Sequence, residues 1–126
     1  MTDGGLSTAR KGARGEEAAA SYLESKGWNV LARNFRTRVG EIDIIARRGD
    51  LVAFVEVKSW QTVPREDLTR SIGPRKRARI SRAARVFLSQ RPDLGRAHLR
   101  FDVVFLGAEE NGIEHIAGAF DEEGID

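Results

Sequence analysis

Apolar and polar residues alternate along the chain in a pattern that predicts two long helices and five strands. One helix is expected over residues 9–26, where Ala19 and Leu23 follow helical spacing, and a second over residues 75–90, with an arginine-rich outer surface. Strands are expected over the apolar stretches 28–35, 39–47, 51–58, 98–106 and 112–118. The order helix, three strands, helix, two strands predicts an α/β fold with a mixed sheet.

The remaining segments carry weaker signals. Residues 1–8 resemble a frayed start, and residues 121–126 an acidic tail. Residues 59–74 have little periodicity and hold two of the three prolines, which predicts a mobile loop. No repeat or linker divides the 126 residues, so we expect a single domain over residues 1–126.

Composition narrows the class of protein. The chain has no cysteine, which excludes disulfides, thiolate zinc sites and cysteine nucleophiles. No apolar run approaches the roughly 18 residues of a membrane span, and the first residues lack the apolar stretch of a secretory signal. We therefore expect a cytoplasmic protein with no membrane partner.

Charge is distributed unevenly along the chain. Residues 65–100 hold eleven Lys/Arg and three Asp/Glu, whereas residues 101–126 hold no Lys/Arg and eight Asp/Glu. A basic block of this kind is suited to a polyanion such as nucleic acid. A solvated helix surface is the alternative interpretation.

Acidic residues interrupt two of the apolar strands. Asp43 lies within VGEIDIIA and Glu56 within LVAFVEVK, although a carboxylate is unfavourable in such a setting. Side chains alternate along a strand, so Glu56 and Lys58 share one face of their strand. In the other strand, Glu41 and Asp43 share one face, and Ile42 and Ile44 share the opposite face. If the two strands pair, Asp43, Glu56 and Lys58 converge; the alternative is an ordinary surface salt bridge between Glu56 and Lys58.

Asp43, Glu56 and Lys58 together could bind a metal ion and act on a phosphate. Two carboxylates form a hard oxygen site suited to Mg²⁺ or Mn²⁺, and the backbone carbonyl of Val57 could add a ligand. Lys58 could orient the attacking water or stabilise charge developing on a phosphate. A further carboxylate from the first helix, Glu16 or Glu17, could complete the site.

Two motifs carry a resemblance to a known family. GEID (40–43) followed by VEVK (55–58) resembles the PD-(D/E)xK nuclease signature. Together with the stretches 11–36, 73–88, 100–106 and 113–120, the chain is similar to the YraN-like family of small bacterial proteins. The resemblance implies a restriction-endonuclease-like core of helix, three strands, helix and strand with a mixed central sheet.

That family is in turn similar to archaeal-type Holliday-junction resolvases, which have a glutamate four residues after a glycine in the first helix. Gly12 and Glu16 have this spacing, so the resemblance favours Glu16 over Glu17. It implies Asp43 and Glu56 as metal ligands and Lys58 as the catalytic lysine. No proline precedes Asp43, and Glu41 stands nearby as a supporting candidate. Related resolvases act as dimers, so a homodimer is compatible with the resemblance.

The expected function is a divalent-metal-dependent endonuclease that hydrolyses nucleic-acid phosphodiester bonds, with branched DNA among the candidate substrates. The alternatives are a non-catalytic nucleic-acid-binding module of the same fold and a protein-interaction module that uses its oppositely charged segments.

Asp102 is expected to anchor an arginine and His115 to be structural. Candidate nucleic-acid contacts are the basic residues Arg36, Arg38, Arg75, Lys76, Arg79 and Arg82.

Overall fold

The computed structural model describes residues 8–109 and 112–121, with side chains from residue 15 onward. In this part of the chain, three helices and five strands follow one another in the order α1, β1, β2, β3, α2, α3, β4, β5. The helices are α1 (Thr8–Ser25), α2 (Leu68–Ser71) and α3 (Pro74–Ser89). The strands are β1 (Asn29–Arg36), β2 (Glu41–Arg48), β3 (Leu51–Ser59), β4 (His98–Leu106) and β5 (Ile113–Phe120).

The predicted helices and strands are confirmed within one or two residues at each end. The prediction of a loop over residues 59–74 is wrong for part of that segment, which contains a 3-10 turn (Arg65–Asp67) and the short helix α2. Leu68 and Ile72 are buried there, and their burial orders a stretch too short to show helical periodicity. The frayed start and the acidic tail lie outside the described residues, apart from Thr8 and Asp121.

The five strands form one mixed sheet in the order β1-β2-β3-β4-β5. All neighbours are antiparallel except β3 and β4, which run parallel from Leu51↔His98 to Ser59↔Leu106. Parallel neighbours need a crossover, and here the crossover contains α2 and α3. The predicted α/β class, with a restriction-endonuclease-like core, is confirmed.

Apolar side chains cover both faces of the sheet. On one face, Phe54 and Ile80 belong to the cluster beneath α3; on the other, Leu23 and Val55 belong to the cluster beneath α1. Burial on both faces explains why β3 reads as a nearly continuous apolar run rather than an alternating one. None of the helices in the described part of the chain is long and apolar enough to cross a membrane.

Strand β2 departs from regular alternation. Ile42 packs with the α3 cluster and Ile44 with the α1 cluster, so the prediction that they share a face is wrong. Asn34, between the paired positions Arg33↔Ile44 and Phe35↔Ile42, has a left-handed backbone with φ 52°. Asparagine tolerates this conformation better than most residues, and it disturbs β1 directly opposite Asp43. The sheet is therefore irregular at the position of the candidate site.

Candidate active site

The two strands that carry the acidic residues separate at Asp43. Their pairing runs from Arg48↔Leu51 to Ile44↔Val55, and Asp43 comes next. There the Val57 N–H donates to Asp43 Oδ2 at 2.8 Å. The carboxylate of Asp43 thus takes the place of a backbone acceptor, which holds it beside Glu56 on the neighbouring strand.

Glu56 lies at the centre of the charged cluster. It is 7% exposed, and one of its oxygens, Oε2, lies 3.6 Å from Lys58 Nζ and 2.6 Å from Lys76 Nζ. Lys58 lies two residues along β3 on the same face, whereas Lys76 reaches in from the first turn of α3. The structure therefore brings Asp43, Glu56 and Lys58 together and adds a second lysine.

Burial raises the pKa values of two acidic residues, Asp43 and Glu16, and neighbouring negative charge adds to the rise. The pKa of Asp43 rises to about 7, first because the carboxyl is buried and then because Glu56 repels its negative form; the Val57 N–H opposes this rise. Glu16 adds to the repulsion, and burial raises the pKa of Glu16 as well. Both acids are thus harder to ionise in the metal-free protein than in water.

The pKa values of the two lysines shift in opposite directions. Burial lowers the pKa of Lys58, and the neighbouring Lys76 lowers it further, against the attraction of Glu56. Burial also acts to lower the pKa of Lys76, but the charge of Glu56 and its hydrogen bond raise that pKa overall. Glu56 therefore stabilises the ammonium of Lys76 more effectively than that of Lys58.

The remaining acidic candidates are placed differently. Glu16 is partly buried on α1 and acts electrostatically on Asp43, whereas Glu17 is exposed. Glu41 is an exposed residue whose Oε1 lies 4.0 Å from Arg36 Nε, as in a surface pair. Of these three glutamates, Glu16 is the one whose charge acts on Asp43, whereas Glu17 and Glu41 are exposed.

The donor atoms fit a hard divalent cation. Among the described residues, no three Asp, Glu or His side chains form a complete cage, so the set comprises the Asp43 and Glu56 carboxylates and a carbonyl. The Val57 N–H points to Asp43. In an extended strand the carbonyl of a residue lies on the same side as its N–H, so the Val57 carbonyl is also directed toward β2. Mg²⁺ is commonly held by one or two carboxylates and retains several waters. A cation would also relieve the repulsion that raises the pKa of Asp43.

A cleft of about 770 Å³ opens beside the cluster, between the turn at residues 37–40 and the N-terminal half of α3. Lys76 lines this cleft and also contacts Glu56, so this one side chain joins the cleft to the charged cluster. We call it the basic cleft, after the side chains of Arg38, Arg75, Lys76 and Arg79 on its walls. Arg36 and Arg82 are exposed but do not line it.

Gly40 brings the two walls of the basic cleft together. A Cβ at this position would lie 2.2 Å from the carbonyl oxygen of Arg79, so only glycine allows the turn to approach α3 this closely. Thr37 Oγ1 accepts the N–H of Gly40 at 3.0 Å and donates to its carbonyl at 2.8 Å. The walls of the cleft are therefore formed by a hydrogen-bonded turn packed on a helix.

Comparison with known sequences places the chain in a family. The sequence model described as "Uncharacterised protein family UPF0102" matches residues 15–106. The chain belongs to the UPF0102 family. This is the YraN-like group, so the prediction of that family is confirmed.

Relatives extend the match across most of the chain. A UPF0102 protein from Rhodopseudomonas palustris is 45% identical over 112 residues, which cover 89% of this chain and 84% of the relative. One from Mesorhizobium japonicum is 50% identical over 95 residues, covering 75% and 74%. One from Desulfosudis oleivorans is 43% identical over 110 residues, covering 87% and 89%.

A second charged cluster of this UPF0102 protein is centred on Asp102, which pairs with Val55 on the neighbouring strand. Asp102 is fully buried and accepts two hydrogen bonds from Arg100, at 2.8 and 2.9 Å, and one from the Gly118 N–H at 2.9 Å. Its Oδ2 also lies 2.7 Å from His115 Nε2, and His115 meets the Trp28 ring edge-on. The prediction that Asp102 anchors an arginine is confirmed, and its partners account for its burial.

Sequence reasoning missed the position of Lys76. It was a candidate nucleic-acid contact on the outer surface of its helix, yet it lies 2.6 Å from a buried carboxylate. Pro74 at the start of α3 was the available signal, since proline favours the first helical turn and places Lys76 in that turn. The signal marks the end of the helix but not the strand it meets.

Proposed function

We propose that this UPF0102 protein is a divalent-metal-dependent endonuclease that hydrolyses phosphodiester bonds in nucleic acid, with DNA as the first substrate to test. One observation carries the proposal: Asp43 and Glu56 converge where β2 and β3 separate, with Lys58 Nζ 3.6 Å from Glu56 and the basic cleft alongside. Two carboxylates and a lysine form a reaction centre, and a cationic cleft supplies binding for a polyanion.

The proposed ion is Mg²⁺ or Mn²⁺, held by the carboxylates of Asp43 and Glu56 and by the Val57 carbonyl. When bound, it supplies Lewis acidity toward a phosphoryl oxygen. Lys58 is held by β3 on the same face as Glu56, from which its ammonium can orient an attacking water or stabilise developing negative charge. Glu16 supports the site from α1 through its charge.

Nucleic acid would enter along the basic cleft. Arg38, Arg75 and Arg79 are exposed on its walls, where their guanidinium groups can contact phosphates without reading sequence. Arg36 and Arg82 would extend this surface beyond the cleft. Trp60 is 50% exposed and lies two residues after Lys58, so its ring is available for stacking against a base.

The test is a cleavage panel with labelled single-stranded, duplex, flapped and four-way-junction DNA, and with RNA, in Mg²⁺ or Mn²⁺. Wild type should cut at least one substrate, and Asp43→Asn and Lys58→Met should lose most of that activity while still binding it. Asp121→Asn, which changes an exposed aspartate, is the matched control and should cut like wild type. Equal cleavage by Asp43→Asn and wild type would contradict the assignment.

One observation favours a second candidate, a nucleic-acid-binding module without turnover. Lys76 already neutralises Glu56 at 2.6 Å, as it would in a site that never takes a metal. Binding across the substrate panel with no product in either metal would support this second candidate.

A further inference from the structure

Two ammonium groups share one carboxylate oxygen in the site. Lys58 Nζ and Lys76 Nζ lie 3.6 Å and 2.6 Å from Glu56 Oε2. Their freedom differs, because the Lys58 side chain is 17% exposed and that of Lys76 is 42% exposed. Lys58 is confined by β3, whereas Lys76 stands at the boundary between the carboxylates and the basic cleft.

The position of Lys76 conflicts with a metal at the carboxylate pair. An ion held by Asp43 and Glu56 would compete with Lys76 for the negative charge of the Glu56 carboxylate, and its double charge would repel the nearby ammonium. A lysine carries its charge on a flexible four-carbon stem, so the half-exposed Lys76 can turn away. The open direction is the basic cleft, whose walls also carry Arg75 and Arg79.

We propose that Lys76 is a positioning residue with two alternative partners: Glu56 while no metal is bound, and a nucleic-acid phosphate once a divalent ion has displaced it. This inference rests on the proposed function. Because the ion releases a phosphate-binding cation, metal and nucleic acid bind with positive coupling, and thermodynamic linkage makes that coupling equal in both directions.

A simpler role for Lys76 would be to fasten α3 to the sheet through its ion pair. The two roles predict opposite effects on metal binding. A fastening residue, once removed, loosens the site and weakens metal binding. A displaced counter-ion, once removed, strengthens it, because the ion no longer competes with an ammonium for Glu56.

The first test is Mg²⁺ binding to the full chain without nucleic acid, measured by isothermal titration calorimetry. Lys76→Met, which retains length and loses charge, should bind Mg²⁺ on the order of tenfold more tightly than wild type. Lys76→Arg should restore weak binding. Arg96→Met is the matched control, since Arg96 is an exposed arginine that does not line the cleft, and it should bind Mg²⁺ like wild type.

The second test is DNA binding in EDTA, measured by fluorescence anisotropy with a short duplex. Because Glu56 holds Lys76 in the metal-free protein, Lys76→Met should change this affinity by less than about twofold, whereas Arg79→Met should weaken it several-fold. Equal losses in the two variants would overturn the inference, since Lys76 would then contact phosphate without metal. Lys76→Gln provides a second uncharged variant, and circular dichroism verifies folding.

The outcomes separate this inference from the proposed function. Binding of Mg²⁺ by wild type but not by Asp43→Asn would support the proposed metal site. In that case, unchanged or weaker Mg²⁺ binding by Lys76→Met would refute only the role of Lys76. If neither wild type nor Lys76→Met binds Mg²⁺ or Mn²⁺, both proposals fail.

Discussion

Replacing Asp43 by asparagine should stabilise the metal-free protein at pH 8 even though it removes a proposed metal ligand. Burial and the charge of Glu56 raise the pKa of Asp43 to about 7, so ionising this carboxyl opposes folding. Asparagine has nearly the same shape, carries no charge and can still accept the Val57 N–H that Asp43 accepts at 2.8 Å. The substitution therefore removes a repulsion while retaining the hydrogen bond.

The magnitude follows from linkage. A rise in pKa from 3.8 to about 7 corresponds to about 4 kcal/mol, at about 1.36 kcal/mol for each tenfold change in proton affinity. Glu56 shares the repulsion and the site can relax, so we expect roughly half of this, about 2 kcal/mol. The contribution of Asp43 is fully present below pH 3.8 and is lost as the pH rises through about 7. A domain stable by about 5–15 kcal/mol should show this difference clearly.

The assay is urea unfolding of wild type and Asp43→Asn in EDTA at several pH values between 4 and 8. The free energy of unfolding should be similar for the two proteins near pH 4, and Asp43→Asn should become the more stable as the pH rises. Asp121→Asn, at an exposed aspartate, should show no such trend. A pH-independent difference, or a variant less stable than wild type at pH 8, would refute the electrostatic account of Asp43.

Two further predictions concern the scaffold around the site. Asp102→Asn should destabilise the protein by about 3–5 kcal/mol in urea unfolding, because Arg100 and His115 would lose a buried charged partner; Asp93→Asn, in an exposed pair with Arg91, should change stability little. Gly40→Ala should destabilise the protein by about 1–3 kcal/mol and weaken duplex binding in anisotropy, because its Cβ would lie 2.2 Å from the Arg79 carbonyl oxygen. Gly73→Ala is the control: a Cβ at that position meets nothing within 4 Å, so its effects on stability and on duplex binding should be smaller.

Much of this fold follows from local patterns. The apolar run of β3 and its alternation with charged positions predicted a strand with Glu56 and Lys58 on one face. Asp43 was recognisable because a carboxylate within an apolar strand breaks a local rule, and such breaks often mark functional positions. Glu16, by contrast, came from the resemblance to nucleases, since nothing in its helical pattern distinguishes it from Glu17.

What escaped prediction depends on tertiary structure. Strict alternation placed Ile42 with Ile44, but the left-handed backbone of Asn34 alters the strand beside them, and no propensity rule requires that conformation at an asparagine. Lys76 resembled its basic neighbours on α3 because its contact with Glu56 depends on how the helix lies against the sheet. Local sequence encodes the helix face, whereas packing across the chain decides which carboxylate it meets.

Charge balance connects the site with the basic cleft. With both acids ionised, Asp43 and Glu56 contribute two negative charges, and Lys58 and Lys76 contribute two positive charges, so the metal-free cluster is neutral. A bound divalent ion would leave an excess of two positive charges beside a cleft already lined by arginines. Such an excess favours an anionic ligand, and the phosphates of nucleic acid supply that charge. Metal binding would thus convert a self-neutralised cluster into a phosphate-attracting one, which is why the proposed displacement of Lys76 and the proposed nuclease activity depend on the same carboxylate pair.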